Sequence, residues 1–95
     1  MAIEQTDEYA DWFDGLTDTQ IRARINARIR RPSLGNPGDV KPVGGGVSEM
    51  RIDHGPGYRV YYKQQGKNLA VLLFGGTKKK QDSDIERALE LAANL

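Results

Sequence analysis

Residues 47 to 74 read VSEMRID, HGPG, YRVYYK, QQGKN and LAVLLF: three short apolar segments separated by two glycine-bearing turns. Alternation with a period of two in Val, Ile, Met and Tyr is the pattern of a strand with one buried face. Connections this short join antiparallel neighbours, because a parallel pair needs a crossover of a dozen residues or more. The stretch therefore predicts a three-stranded antiparallel meander. LAVLLF is apolar on both faces, which marks it as the best-buried strand.

Helical patterns flank the meander. TDEYADWFDGL predicts a first helix capped by Thr6 or Asp7, with acids in its first turn and Tyr9, Phe13 and Leu16 on one face. Trp12 lies beside that stripe. A second helix follows at once, with Thr17 and Gln20 at capping-box spacing and Ile21, Ile25 and Ile29 as its apolar stripe. Pro32 is expected to stop it. Two helices joined so tightly form an antiparallel hairpin. Met1 to Gln5 is a candidate short strand ahead of them. RPSLGNPGDVKPVGGG, residues 31 to 46, reads as an ordered crossing loop with an extended piece at Val40 to Val43. The last segment is a helix with Ser83 and Glu86 as its capping box and Ile85, Ala88, Leu89 and Ala92 as its stripe. The layout is α+β: a helical hairpin on one face of a small antiparallel sheet, a C-terminal helix, and one domain spanning 1–95. All helices are expected on the same sheet face.

With 95 residues and no cysteine, the chain has no disulfide framework and no thiolate metal site. One histidine and no carboxylate cluster at ligand spacing argue against a metal centre, and nothing calls for a cofactor. The N-terminal MAIEQTDEYADWF lacks a basic and apolar leader pattern, and no apolar run reaches membrane length, so a cytoplasmic protein is expected. Net charge is only +1, but it is arranged in blocks. Residues 1 to 20 carry acids alone. Residues 22 to 31 carry five arginines and no acid. Arg59, Lys63, Lys67, Lys78, Lys79 and Lys80 also have no acid among them. Such blocks are either solvated faces or a basic surface hidden under a neutral total.

Register narrows that choice. A first hairpin turning through His54-Gly55-Pro56 sets Arg51 against Arg59, Glu49 against Tyr61, Met50 against Val60 and Ile52 against Tyr58. A second turning through Gly66-Lys67 sets Val60 against Leu73, Tyr62 against Val71, Arg59 against Phe74 and Tyr61 against Leu72. The aliphatic face belongs under the helices. The other face carries Glu49, Arg51, Arg59, Tyr61, Leu72 and Phe74. Two arginines directly opposite one another disfavour a sheet by up to about 1 kcal/mol. The pair makes sense if a phosphate sits between the guanidinium groups. Lys78, Lys79 and Lys80 follow the last strand and reach the same face, while Tyr61 and Phe74 offer surface for a stacked base. The competing reading is an ordinary surface ion-pair set, Arg51 with Glu49 or Arg59 with Asp53. On the polar face Arg59 is expected to be dispensable for folding. His54, in the turn beside the arginines, is either simply solvated or a proton shuttle, since imidazole changes charge near neutral pH. GGTKKK lacks P-loop spacing and does not lead from a parallel strand into a crossover helix, so an NTPase is rejected.

GNPGDVKPVGGGVSEMRIDHGPGYRVYY and LLFGGTKKKQDSDIERALELA, with the early Trp12 and the arginine-rich second helix, resemble the RelE/ParE toxin superfamily of bacterial toxin–antitoxin modules. Within it they are most similar to the HigB-like, phage Gp49-like branch of addiction module killer proteins. The resemblance covers nearly the whole chain. It implies a compact α+β toxin that enters the ribosomal A site and cleaves mRNA without metal or cofactor, through attack of the ribose 2′-hydroxyl on the adjacent phosphate. It implies as partners the ribosome, mRNA and a cognate antitoxin of helix-turn-helix type, and no membrane. Carried over residue by residue, the arginine of GYR is Arg59, the basic residue on the preceding strand is Arg51, and the basic residues past the glycines are Lys78 and Lys80. The best-known ribonucleases of the superfamily carry a tyrosine in the C-terminal segment, where this chain has QDSDIER, with Gln81 and Asp84 in its place, as is usual for this branch. That leaves His54, Tyr61 and Lys80 as stand-ins for proton transfer, and Tyr61, Phe74, Lys79 and Gln81 as substrate contacts. The superfamily also contains ParE-like gyrase inhibitors without nuclease activity, which is the alternative.

Overall fold

The computed structural model describes residues 2–30 and 39–95. Within them run β1 (Ala2–Gln5), α1 (Asp7–Asp14), α2 (Thr19–Ile29), β2 (Val40–Gly44), β3 (Val47–Ile52), β4 (Tyr58–Gln65), β5 (Leu69–Thr77) and α3 (Gln81–Ala93), with a 3-10 turn at Lys78–Lys80 leading into α3. The strands form one sheet in the order β1-β5-β4-β3-β2. Every pairing is antiparallel except that of β1 with β5, so the sheet is mixed. The α+β class is as expected. The two short extended pieces read from the sequence are its edge strands. Arg31, Pro32 and the rest of 31–38 lie outside the described residues, and with them the proline expected to end α2.

Helix starts follow local chemistry. Thr6 caps α1: its hydroxyl accepts from the Tyr9 amide at 2.9 Å and donates to the Leu73 carbonyl at 2.7 Å, tying the helix start to β5. Asp18, not Thr17, caps α2, accepting from the Gln20 amide at 2.9 Å. A carboxylate there also faces the positive end of the helix dipole. The Ser83–Glu86 box does not form, because α3 begins at Gln81 directly from the 3-10 turn. Ser83 donates instead to the Lys80 carbonyl at 3.2 Å.

The first hairpin has the expected register, with Arg51 opposite Arg59 and Met50 opposite Val60. The second does not. Three residues, Gly66 to Asn68, turn the chain, so Gln65 pairs with Leu69. A bulge then puts one extra residue, Leu73, between the Tyr62–Leu72 and Tyr61–Phe74 pairs. A bulge shifts every later pair by one and turns its side chains over. Arg59 therefore faces Gly76 rather than Phe74, Tyr61 faces Phe74, and Val60 faces Gly75.

That shift fits β5 between two layers. Tyr9, Ile21, Ile25 and Ile29 pack with Met50, Ile52, Val60, Tyr62 and Leu72 on the α1–α2 face. Val47, Tyr61, Val71 and Leu73 pack with Ala88 and Ala92 of α3 on the other. The expectation that all helices share one face is thus corrected: α3 covers the opposite side. The glycine pair of FGGT permits both approaches. A Cβ on Gly75 would run into the Trp12 ring of α1, and one on Gly76 into the Asp84 carboxylate of α3. These glycines admit side chains from above and below and are no phosphate loop.

Candidate functional site

Because α3 lies on the second face, the side chains expected there to be free are mostly covered. Tyr61 is fully buried, and burial with the charges of Glu49 and Asp84 pushes its hydroxyl well above the ordinary tyrosine range. It offers no ring to a base. Phe74 is half-buried against the α3 cluster, so the stacking surface expected from this pair is absent. Leu72 has moved to the α1–α2 face.

Glu49 is the centre of this layer. Its carboxylate is 1 % exposed. One oxygen lies 3.6 Å from Arg59 Nε, and the other accepts from Gln81 Nε2 at 2.8 Å. Gln81, expected as a substrate contact, is thus held by the protein itself. Arg59 is 8 % exposed and also donates from Nη1 to its neighbour's carbonyl, that of Tyr58, at 3.2 Å. The ion pair that forms is neither of the two expected on the surface. It runs diagonally from β4 to β3 and is buried. An isolated buried carboxylate or guanidinium is costly, so each requires the other. The expectation that Arg59 lies on an open polar face is therefore corrected: it is buried against Glu49.

Asp84, in the first turn of α3, is the second buried acid of this layer. Burial lifts its carboxyl above the usual carboxylate range, and the Lys80 ammonium draws it back in part. Neither Glu49 nor Asp84 announces itself in the sequence as buried. The available signal is Gly76, a glycine inside a strand, which marks a close approach to the backbone.

Beyond the N-terminal end of α3 the sheet opens. Arg51, Arg59 and Lys78 line a cleft of about 450 Å³ together with Asp39, Asp53 and the Gly55–Gly57 turn. The turn is clipped in place by a 2.8 Å bond from the Lys78 amide to the Gly57 carbonyl. Gly57 takes a φ of +81°, and a Cβ there would come within 3.5 Å of Arg59 Nη1. The cleft thus brings together three of the expected site residues from β3, β4 and the 3-10 turn, with two carboxylates against three cations. Arg51 is exposed, unlike its partner across the hairpin. Lys78 also lines a separate depression with Lys79, Lys80, Gln81 and Asp82, where three cations stand against one carboxylate. His54 does not join it: its Nε2 lies 3.7 Å from Asp18 at the start of α2, and it is absent from the cleft lining. Among the described residues no three His, Asp or Glu side chains converge as metal ligands, and no helix is long and apolar enough to cross a membrane.

The family model for phage derived protein Gp49-like matches residues 11–95. An uncharacterized protein of Haemophilus influenzae is 47% identical over 93 residues, which covers 98% of this chain and 94% of that protein.

Proposed function

From the chain's membership of the phage-derived Gp49-like family, within the addiction-module killer and RelE-like toxin group, we propose that it is a toxin–antitoxin toxin that cleaves mRNA in the ribosomal A site. The observation that carries this reading is the convergence of Arg51, Arg59 and Lys78 on one open cleft.

In the proposed reaction the ribose 2′-oxygen attacks the adjacent phosphorus, the bond to the 5′-oxygen breaks, and a 2′,3′-cyclic phosphate and a 5′-hydroxyl result. The 2′-hydroxyl loses a proton and the leaving oxygen gains one. Extra negative charge gathers on the phosphoryl oxygens in the transition state, where fixed cations stabilise it most. Arg59 is held by Glu49 and the Tyr58 carbonyl, so its guanidinium is placed before substrate arrives. Arg51 and Lys78 supply two further cations with freer side chains. Lys79 and Lys80 receive the flanking backbone. No metal takes part in this reading. A bound ribosome contributes substrate alignment, an effect that reaches roughly 7–11 kcal/mol in favourable cases. A cognate antitoxin of helix-turn-helix type holds the toxin inactive until it is removed.

Induced expression followed by mapping of mRNA 5′ ends tests the reading. New 5′-hydroxyl ends inside ribosome-occupied codons are expected, with far slower cutting of the same RNA free of ribosomes. Growth arrest with trapped gyrase–DNA complexes and intact mRNA would instead identify a gyrase inhibitor.

A further inference from the structure

A second cleft, of about 240 Å³, adjoins the first on the α2 side. Arg24 and Arg28 of α2 line it with Arg51, Asp39 and Asp53, and the last three line the first cleft as well. The two are therefore joined across Arg51.

Arg28 sets this cleft apart from an ordinary charged surface. Its side chain is only 9% exposed. Nη2 lies 3.3 Å from Asp39 Oδ2, yet among the described residues neither Nη1 nor Nη2 makes a hydrogen bond. A guanidinium stays charged under all ordinary conditions and presents a planar fork of donors. Buried donors without acceptors are rare in folded proteins and call for an explanation. Asp39, whose side chain is 45% exposed, leaves most of that fork unanswered. Three arginines against two aspartates leave an excess positive charge at the cleft.

We propose that Arg24, Arg28 and Arg51 form a second phosphate subsite, which holds the RNA backbone phosphate next to the one reacting in the first cleft. The proposal rests on the nuclease reading and names what that reading leaves open: the substrate is gripped as a polynucleotide, at two phosphates at least. A phosphate satisfies a planar fork through paired oxygens. Continuity through Arg51 favours a ligand that carries anions at regular intervals along one chain.

The test is equilibrium binding of a 2′-O-methyl hexanucleotide, which lacks the attacking hydroxyl, over a range of salt concentrations. For single strands the slope of log K against log salt changes by roughly 0.7 for each phosphate contact. Arg24 is exposed, so Arg24→Gln is expected to fold normally, to weaken binding about three- to ten-fold at low salt and to lower the slope by roughly 0.7. Arg28→Lys, which keeps the charge and loses the fork, should weaken binding as well. Arg30→Gln, an exposed arginine of the same segment outside the cleft, should change neither quantity. If Arg24→Gln behaves like Arg30→Gln, or wild-type protein does not bind the oligonucleotide at low salt, the subsite is refuted. Displacement of the oligonucleotide by a polyglutamate peptide at equal concentration would also refute it, in favour of an acidic protein partner. If Lys78→Gln leaves binding unchanged while Arg24→Gln weakens it, the subsite stands and the assignment of the first cleft falls.

Discussion

The two faces of the sheet are built from different materials. Between the sheet and helices α1 and α2 lies a layer of isoleucines, aromatic rings and aliphatic strand residues. Between the sheet and α3 the apolar cluster shares its space with Glu49, Arg59 and Asp84, all buried. Hydrocarbon contacts are non-directional and tolerate small adjustments, so the apolar part of the first layer secures the fold, while Arg28 of α2 lies buried beside it in its ion pair with Asp39. A buried ion pair contributes little net stability but ties two side chains to one geometry. The second layer therefore does less to hold the protein together and more to aim Arg59 at the cleft.

The largest effect expected from this contrast is at Arg59. Arg59→Ala leaves the Glu49 carboxylate buried and unpaired, which costs about 3–5 kcal/mol. For a domain whose total stability is of order 5–15 kcal/mol, urea titration should show a large loss. The double variant Glu49→Leu with Arg59→Met removes both charges and should recover most of that loss while staying inactive in mRNA cleavage. If the double variant is as unstable as Arg59→Ala, the layer is a stability element and the contrast between the faces fails.

On the first face, Ile25→Ala removes a fully buried side chain of α2. The cost is about 2–5 kcal/mol, from lost burial and the cavity left behind. Cleavage per folded molecule should change little, because Ile25 lines neither cleft. A loss of specific activity larger than the loss of folded protein would show that the hydrocarbon layer also aims the site.

How much of this contrast the sequence discloses depends on the element. The α2 stripe of Ile21, Ile25 and Ile29 and the β3–β4 register are legible because helical spacing and a Gly-Pro-Gly turn leave few alternatives. The β4–β5 register is not, since an apolar run such as LAVLLF fits either face and conceals the bulge at Leu73. That one residue returns Leu72 to the α1–α2 side. The stripe of α3 identifies an amphipathic helix but not the face it covers, so Tyr61 and Phe74 read as exposed rings. The arginine pair across β3 and β4 is legible from alternation alone. That Arg59 is answered by Glu49 is not, because a diagonal contact depends on which residues α3 shields.

Asp84→Asn should act in the opposite direction from Arg59→Ala, and more weakly. Its raised carboxyl means that the folded protein holds the proton to higher pH than the unfolded chain does. Stability then falls as pH rises from the ordinary carboxylate range through the raised value, and the ionised, desolvated form persists above it. Asparagine removes that loss but also the attraction to Lys80, so a gain on the order of 1 kcal/mol is expected at neutral pH. The gain should vanish in acid, where both forms are neutral. Melting curves across pH check it. A variant less stable than wild type at neutral pH would mean that Lys80 outweighs desolvation.

The smallest stability change is expected at Arg51, the member of the arginine pair that remains exposed. Arg51 and Arg59 are direct cross-strand partners. Like charges so placed repel, but Arg59 is drawn to Glu49, and solvent screens what remains. Arg51→Met keeps the side-chain stem and removes the charge, so its stability should rise by a few tenths of a kcal/mol or stay unchanged. Its effect on cleavage should be strong, because Arg51 lines both clefts and would face phosphate in each. Urea titration and ribosome-coupled cleavage on the same preparation separate the two. A variant clearly less stable that cleaves normally would make Arg51 a structural residue and leave Lys78 and Arg59 alone at the reacting phosphate. Normal stability with cleavage lost would place the exposed arginine beside Arg59 at the reacting phosphate.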